Sequence, residues 1–190
     1  MLRFGLYSLC LIGLLTTAVC SYFFLYRYPY WNARAFVVPS GSMCPTVCEH
    51  ERLIALLDPD KQFIPHRDDV IVMDHQNGTK FIKRVVGLPG DVVTPGPRNE
   101  ILINGQVWMP PQVCGTPRYK AEAEPGFGGD ISFTETKVPP DLYFVIGDNL
   151  PHSLDSRTKE FGLVSLNRIE GQAMILYFSP RLSRIVCKIR

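Results

Sequence analysis

The chain has 190 residues, 46% of them hydrophobic, and a formal net charge of +2. That is enough apolar side chain for one well-buried core, with or without an added anchor. The net charge is close to neutral and unclustered, so nothing suggests a nucleic-acid footprint.

Residues Leu6 to Tyr26 carry no charged side chain, and Arg3 and Arg27 bracket them. A run of about twenty residues is the length a helix needs to cross a bilayer, and exceeds the apolar region of a signal peptide. Tyr22, Phe23, Phe24, Tyr26, Tyr28, Tyr30 and Trp31 crowd its C-terminal end, as expected of rings resting at a lipid–water interface. The expectation is a transmembrane anchor over residues 1–28, followed by one domain over residues 29–190. Ala33-Arg34-Ala35 has the small-x-small form of a processing site, so a cleaved signal peptide is the competing reading.

Beyond the anchor, short apolar runs alternate with Gly, Pro, Asn and Asp, the pattern of an all-β domain. The expected strands are Ala35–Val38, Arg52–Leu57, Val70–Met73, Phe81–Val86, Ile101–Ile103 with Gln106–Trp108, Leu142–Ile146 and Gln172–Phe178. Asn104-Gly105 predicts a hairpin, because a type I′ turn needs positive φ at both central positions. Residues 109–140, rich in Pro and Gly, read as a long excursion within the domain. Ser179-Pro180 stops the last expected strand. The basic tail of Arg181, Arg184, Lys188 and Arg190 is interleaved with apolar residues and reads as a half-buried final segment.

Six cysteines are present. Cys10 and Cys20 lie in the apolar span. Cys44, Cys48, Cys114 and Cys187 could form two disulfides in an exported domain, in any of three connectivities. No Cys-x-x-Cys pairing suggests a metal site, so no metal and no other cofactor is expected.

Ser40-Gly41-Ser42-Met43-Cys44-Pro45-Thr46 places hydroxyls on a small-residue turn close to the apolar span. A serine hydroxyl is a poor nucleophile at neutral pH and needs a base within hydrogen-bonding reach. Lysine can serve if burial lowers its pKa from about 10.4 by penalising the charged form. Lys83, in the apolar run Phe81 to Val86, is placed for this, sharing a strand face with Phe81 and Val85. Arg84, on the other face with Ile82 and Val86, stays charged and is a worse base. Among histidines, His50, His66, His75 and His152 are available, and a Ser42-His152-Asp155 triad can be drawn. Nothing in the local sequence singles it out, since triads are recognised by geometry.

Three blocks, Ser40 to Thr46, Lys83-Arg84-Val85-Val86-Gly87-Leu88-Pro89-Gly90-Asp91, and Gly147-Asp148-Asn149 through Ser153-Leu154-Asp155-Ser156-Arg157, together resemble type I signal peptidases, the membrane-bound Ser-Lys proteases. The resemblance implies a mainly β, signal-peptidase-type catalytic domain behind one N-terminal transmembrane helix. It implies an inner-membrane, single-pass protein whose catalytic domain lies on the extracytoplasmic side. Ser42 would be the nucleophile and Lys83 the general base. Ser40 would join the Ser42 N–H in the oxyanion hole, Ser153 would orient the lysine, and Asp155 with Arg157 would form a supporting salt bridge. Phe36, Val37 and Val38 would line the groove for an extended substrate with small residues before the cut. The partners implied are membrane-inserted precursor proteins and the lipid bilayer. Leu150-Pro151-His152 departs from the family pattern, which usually has a basic residue and a polar pair there. A narrower alternative is a conjugative-transfer relative that matures pilin precursors, some of which cyclise them. A third reading is a non-catalytic anchored β binding domain.

Overall fold

The computed structural model describes residues 13–22, 32–74, 78–97, 100–111 and 133–189. The chain divides into two units, Met1–Asn32 and Ala33–Arg190. In the first, residues 13–22 are helical and exposed throughout. The rest of the expected anchor lies outside the described residues. Among the described residues, no helix is long and apolar enough to cross a membrane.

The described residues of the second unit form twelve strands: β1 Ala33–Val37, β2 Arg52–Leu57, β3 Val70–Asp74, β4 Lys80–Gly87, β5 Val92–Pro95, β6 Ile101–Ile103, β7 Gln106–Val107, β8 Thr136–Lys137, β9 Leu142–Ile146, β10 Val164–Ser165, β11 Ile169–Phe178 and β12 Cys187–Lys188. The larger sheet runs β1-β2-β11-β3-β4-β9-β10, with β12 also on β11, and the smaller runs β7-β6-β5-β8. Helix in this unit takes the form, among the described residues, of short 3-10 turns, including Leu150–His152, Leu166–Arg168 and Leu182–Arg184.

Every expected strand is present, with ends moved by a few residues. Asn104 and Gly105 have φ of 52° and 80°, as a type I′ turn requires, and the turn closes the β6–β7 pair. The short strands β5, β8, β10 and β12 were not expected. They are four residues or fewer, too short to show an alternating pattern, and pairing with a neighbour defines them instead. The final strand is therefore β12 and not the run that Ser179-Pro180 stops, although that run does end at Phe178. Residues 112–132 of the Pro/Gly-rich excursion lie outside the described residues; its last part supplies β8 to the smaller sheet.

Strand β4 occupies an interior place, hydrogen-bonded to β3 on one edge and β9 on the other, and apolar clusters cover both of its faces. Val85 packs with Ile71, Met73, Val145 and Phe161 on one side. On the other side Val86 packs with Val93, Phe144 and Ile146. A third cluster, with Val38, Met43, Val47, Leu53 and Val72, lies under the Ser42 turn. Two apolar side chains of that turn, Met43 and Val47, are buried, which fastens the turn to the sheet. Burying a side chain of this size contributes about 2 kcal/mol.

Candidate active site

Ser42 sits in the tight turn that leaves β1 by way of Pro39. The Gly41 carbonyl accepts the Cys44 N–H at 3.1 Å and the Met43 carbonyl accepts the Val47 N–H at 3.0 Å, so the segment closes on itself. A disulfide joins Cys44 to Cys48 across the same turn. Of the other two cysteines of this domain, Cys187 is also disulfide-bonded and Cys114 lies outside the described residues. Cys20 is a free thiol.

Lys83 reaches this turn from the middle of β4. Its side chain is 1% exposed, and its Nζ lies 3.0 Å from Ser42 Oγ and 3.1 Å from Ser153 Oγ. Burial lowers its pKa from 10.5 to about 8. The negative charge of Asp155 opposes that fall, Arg157 adds to it, and Asp148 opposes it again. Desolvation prevails because no carboxylate touches the amine; its polar partners are two neutral hydroxyls. A neutral amine has two N–H donors and one lone pair. With Ser153 accepting one N–H, the lone pair is free to take the Ser42 proton.

Asp155 and Arg157 form a bidentate pair, Nε to Oδ1 at 2.8 Å and Nη2 to Oδ2 at 2.9 Å. Arg157 also donates to the Leu150 carbonyl at 2.7 Å, and Asp155 Oδ2 accepts the Gly147 N–H at 3.0 Å. These bonds brace the loop that carries Ser153. They also occupy both oxygens of Asp155. The exposed His152, on the 3-10 turn Leu150–His152, has no side-chain hydrogen bond to Ser42 or Asp155 among the described residues. His50 and His66 are exposed, and His75 lies outside the described residues.

Two buried ion pairs that motif reading passed over hold the turn from below. Arg84, fully buried, grips Asp148 with Nε to Oδ1 at 2.8 Å and Nη2 to Oδ2 at 2.7 Å. It also donates to Thr46 Oγ1 at 3.0 Å and to the Asp68 carbonyl at 2.7 Å, while Thr46 Oγ1 donates in turn to Asp148. Arg184 pairs with Glu51 at 2.7 Å and donates to the Thr46 carbonyl at 2.9 Å. Burial would raise the Glu51 pKa, but Arg184, the Cys48 N–H and Ser179 hold it below its usual value. The missed signal was next to Lys83. An arginine in the middle of an apolar strand requires a buried anion, and Asp148 was in the third block.

Gly147 is obligatory for packing. A Cβ there would overlap Ser153 Oγ and the Ser42 carbonyl. Asn149 adds a backbone N–H to the Ser42 carbonyl at 3.0 Å and a side-chain amide to the Gly41 carbonyl at 3.0 Å. Beside the dyad runs a groove of about 310 Å³, walled by Phe36, Val37, Val38 and Pro39 on one stretch and Thr79 to Ile82 on another, with Ser40, Ser42 and Met43 completing it. Ser40 is exposed. The structure thus brings together Ser40, Ser42, Lys83, Ser153 and the segment 36–38.

The family model "Signal peptidase, peptidase S26" matches residues 8–178. A signal peptidase I of Bacillus amyloliquefaciens is 32% identical over 143 residues, covering 75% of each chain. Signal peptidase I P of Bacillus subtilis subsp. natto is 33% identical over 144 residues, also covering 75% of each. A crystal structure of a signal peptidase I from Enterococcus faecalis V583 matches with a TM-score of 0.40 and 28% identity, over 58% of this chain and 97% of that one. The family match takes in the Ser42 turn, Lys83 and the loop from Gly147 to Arg157, and the chain belongs to the signal peptidase family of peptidases, peptidase S26.

Proposed function

We propose that the chain is a membrane-anchored serine endopeptidase that removes signal peptides from exported precursor proteins with a Ser42–Lys83 dyad. One observation carries the reading: a lysine only 1% exposed, its pKa lowered to about 8, lies 3.0 Å from a serine hydroxyl on a braced turn. Activating a hydroxyl at neutral pH needs this combination, a base in reach and poised near the working pH.

A precursor lies extended in the groove, with small side chains at the first and third positions before the cut. β1 ends the strand order of the larger sheet, so among the described residues its outer edge is unpaired and suited to strand addition. Val37, at 62% exposure, faces that space beside Phe36 and Val38. Lys83 takes the Ser42 proton as Oγ attacks the scissile carbonyl, and the carbonyl π pair moves onto oxygen. The Ser42 N–H and the Ser40 hydroxyl stabilise that oxyanion. Lys83 returns the proton to the leaving amine, then draws a proton from the water that releases the acyl-enzyme. Ser153 orients the amine, and the Asp155–Arg157 pair holds Ser153 in place. The apolar span at residues 1–28 anchors the chain to the bilayer, with the catalytic domain on the extracytoplasmic side. The names of the relatives favour general precursor processing over the pilin-maturing alternative.

Ser42→Ala, Lys83→Ala and His152→Ala in detergent, with a precursor as substrate, test the assignment. Loss of cleavage in the first two and retention in the third, all folded by circular dichroism, is the expected outcome. A cleaving Lys83→Ala would overturn it.

A further inference from the structure

Asn149 makes two contacts that the dyad reading leaves unused. Its backbone N–H donates to the Ser42 carbonyl and its Nδ2 to the Gly41 carbonyl, each at 3.0 Å, so it grips the peptide units on both sides of Ser42. Its Oδ1 is buried and is the only such side-chain atom without a hydrogen-bond partner among the described residues. Turning the amide over would set Oδ1 against the Gly41 carbonyl, oxygen to oxygen, and leave that carbonyl without its side-chain donor. The orphaned acceptor is therefore the consequence of keeping a donor on that carbonyl.

The Gly41 carbonyl and the Ser42 N–H belong to one peptide unit. That unit is planar and trans, so the two groups point in opposite directions. Whatever fixes the carbonyl fixes the N–H. The carbonyl is turned toward Asn149 Nδ2 and the Cys44 N–H, so the Ser42 N–H is aimed the other way, and it meets no acceptor among the described residues.

We propose that Asn149 is a positioning residue for the oxyanion donor: by holding the Gly41 carbonyl, its side-chain amide aims the Ser42 N–H at the developing oxyanion. The proposal rests on the Ser42–Lys83 reading and adds to it the group that presets the N–H. Without the amide, the Cys44 N–H alone holds the carbonyl, at the longer distance of 3.1 Å. The peptide unit can then rock, and the donor is lost in the transition state more than in the bound substrate.

Asn149→Asp keeps the shape but replaces the donor with an anion facing a carbonyl. Asn149→Ala removes the donor and the orphaned acceptor together, so a folded variant remains if the charged one fails to fold. Both are compared with the unaltered full chain in detergent, using a peptide with Ala at the first and third positions before the cut and the matching peptide aldehyde. With the aldehyde, Ser42 Oγ bonds to the carbonyl carbon, the π pair moves to oxygen, and the serine proton passes to Lys83. The adduct thus places an oxyanion where the reaction does. The expected result is a fall in kcat of about tenfold or more with KM within about twofold, and an equal loss of affinity for the aldehyde. The pH midpoint of kcat/KM, which reports Lys83, stays where it is. Unchanged kcat and aldehyde affinity would overturn the proposal, as would losses accompanied by a moved pH midpoint, which would mean a disturbed dyad. Ser42→Ala separates the two levels. If it still cleaves, the dyad reading itself falls and takes this one with it; if it is inert while both Asn149 variants work normally, only the role of Asn149 is wrong.

Discussion

Replacing Lys83 with methionine should make the protein more stable at pH 7 and less stable at pH 10. The folded lysine loses its proton at about 8, against an ordinary value of 10.5. Between those values the unfolded chain holds a proton that the folded chain has released, so the stability of the parent rises with pH across that window. Below pH 8 the penalty is complete. At about 1.4 kcal/mol per pH unit it comes to about 3 kcal/mol. Methionine fills similar space with no charge to desolvate, but removes the partner of the Ser42 and Ser153 hydroxyls. Each lost bond costs about 1 kcal/mol. About 1 kcal/mol of the penalty persists at pH 10, which is still below the unfolded value. The net expectation is a variant about 1 kcal/mol more stable than the parent at pH 7 and about 1 kcal/mol less stable near pH 10. Guanidinium unfolding followed by near-ultraviolet circular dichroism at pH 7, 8, 9 and 10 reads the difference. Other titrating groups cancel between the two chains. A difference that stays constant over this range would mean that Lys83 titrates normally, and the reasoning from its burial would be refuted.

The same amine sets the activity profile: kcat/KM should rise about tenfold from pH 7 to a plateau above pH 9, with its midpoint near 8. A plateau already complete at pH 7 would exclude Lys83 as the titrating base. Gly147→Ala should lower activity by about a hundredfold and stability by about 1–3 kcal/mol, because its methyl displaces both Ser153 Oγ and the Ser42 backbone. Peptide cleavage and thermal melting measure the two effects. Arg84→Ala should destabilise by about 3–5 kcal/mol, since it leaves Asp148 buried and unpaired. Adding Asp148→Asn to it should restore part of that loss in denaturant unfolding. Cys44→Ser with Cys48→Ser opens a small loop and should lower stability by about 2 kcal/mol on the chain-entropy model, a shift readable by calorimetry without reductant.

What was legible in the sequence follows from the range of the interactions involved. β2 and β9 were read with their observed bounds because each is a self-contained apolar run bounded by charges and turn residues. The Asn104-Gly105 turn was legible because it depends on the backbone preferences of two adjacent residues. β12 depends instead on β11, reached through a chain reversal that no local pattern announces. In the site, Ser42, Lys83 and Ser153 could be named from their blocks, but their convergence is a property of the folded chain. Arg84 was marked by its apolar strand, but Glu51 and Arg184 looked like ordinary charged residues, although both are buried. Burial of a charge is seldom marked by its own neighbourhood in the chain. It depends on a partner far away, as Glu51 and Arg184 show across 133 residues.

Such distant pairs explain how a short turn can hold a reacting atom in place. Ser42 lies in a loop whose Met43 and Val47 are packed into the core, and polar ties add to that packing. Here each side is fixed to a different element. Thr46 is tied by its hydroxyl to Arg84 on β4 and by its carbonyl to Arg184 before β12. The Gly41 and Ser42 carbonyls are tied to Asn149 beyond β9, and the disulfide closes the turn behind Cys44. Lys83 is the neighbour of Arg84, so the strand that supplies the amine also anchors the far end of the turn carrying the hydroxyl. A displacement of β4 therefore moves both partners together and leaves the 3.0 Å contact intact. The same coupling makes Arg84→Ala informative beyond stability: activity should fall by more than the unfolded fraction accounts for, because the turn is then released from the strand that presents Lys83.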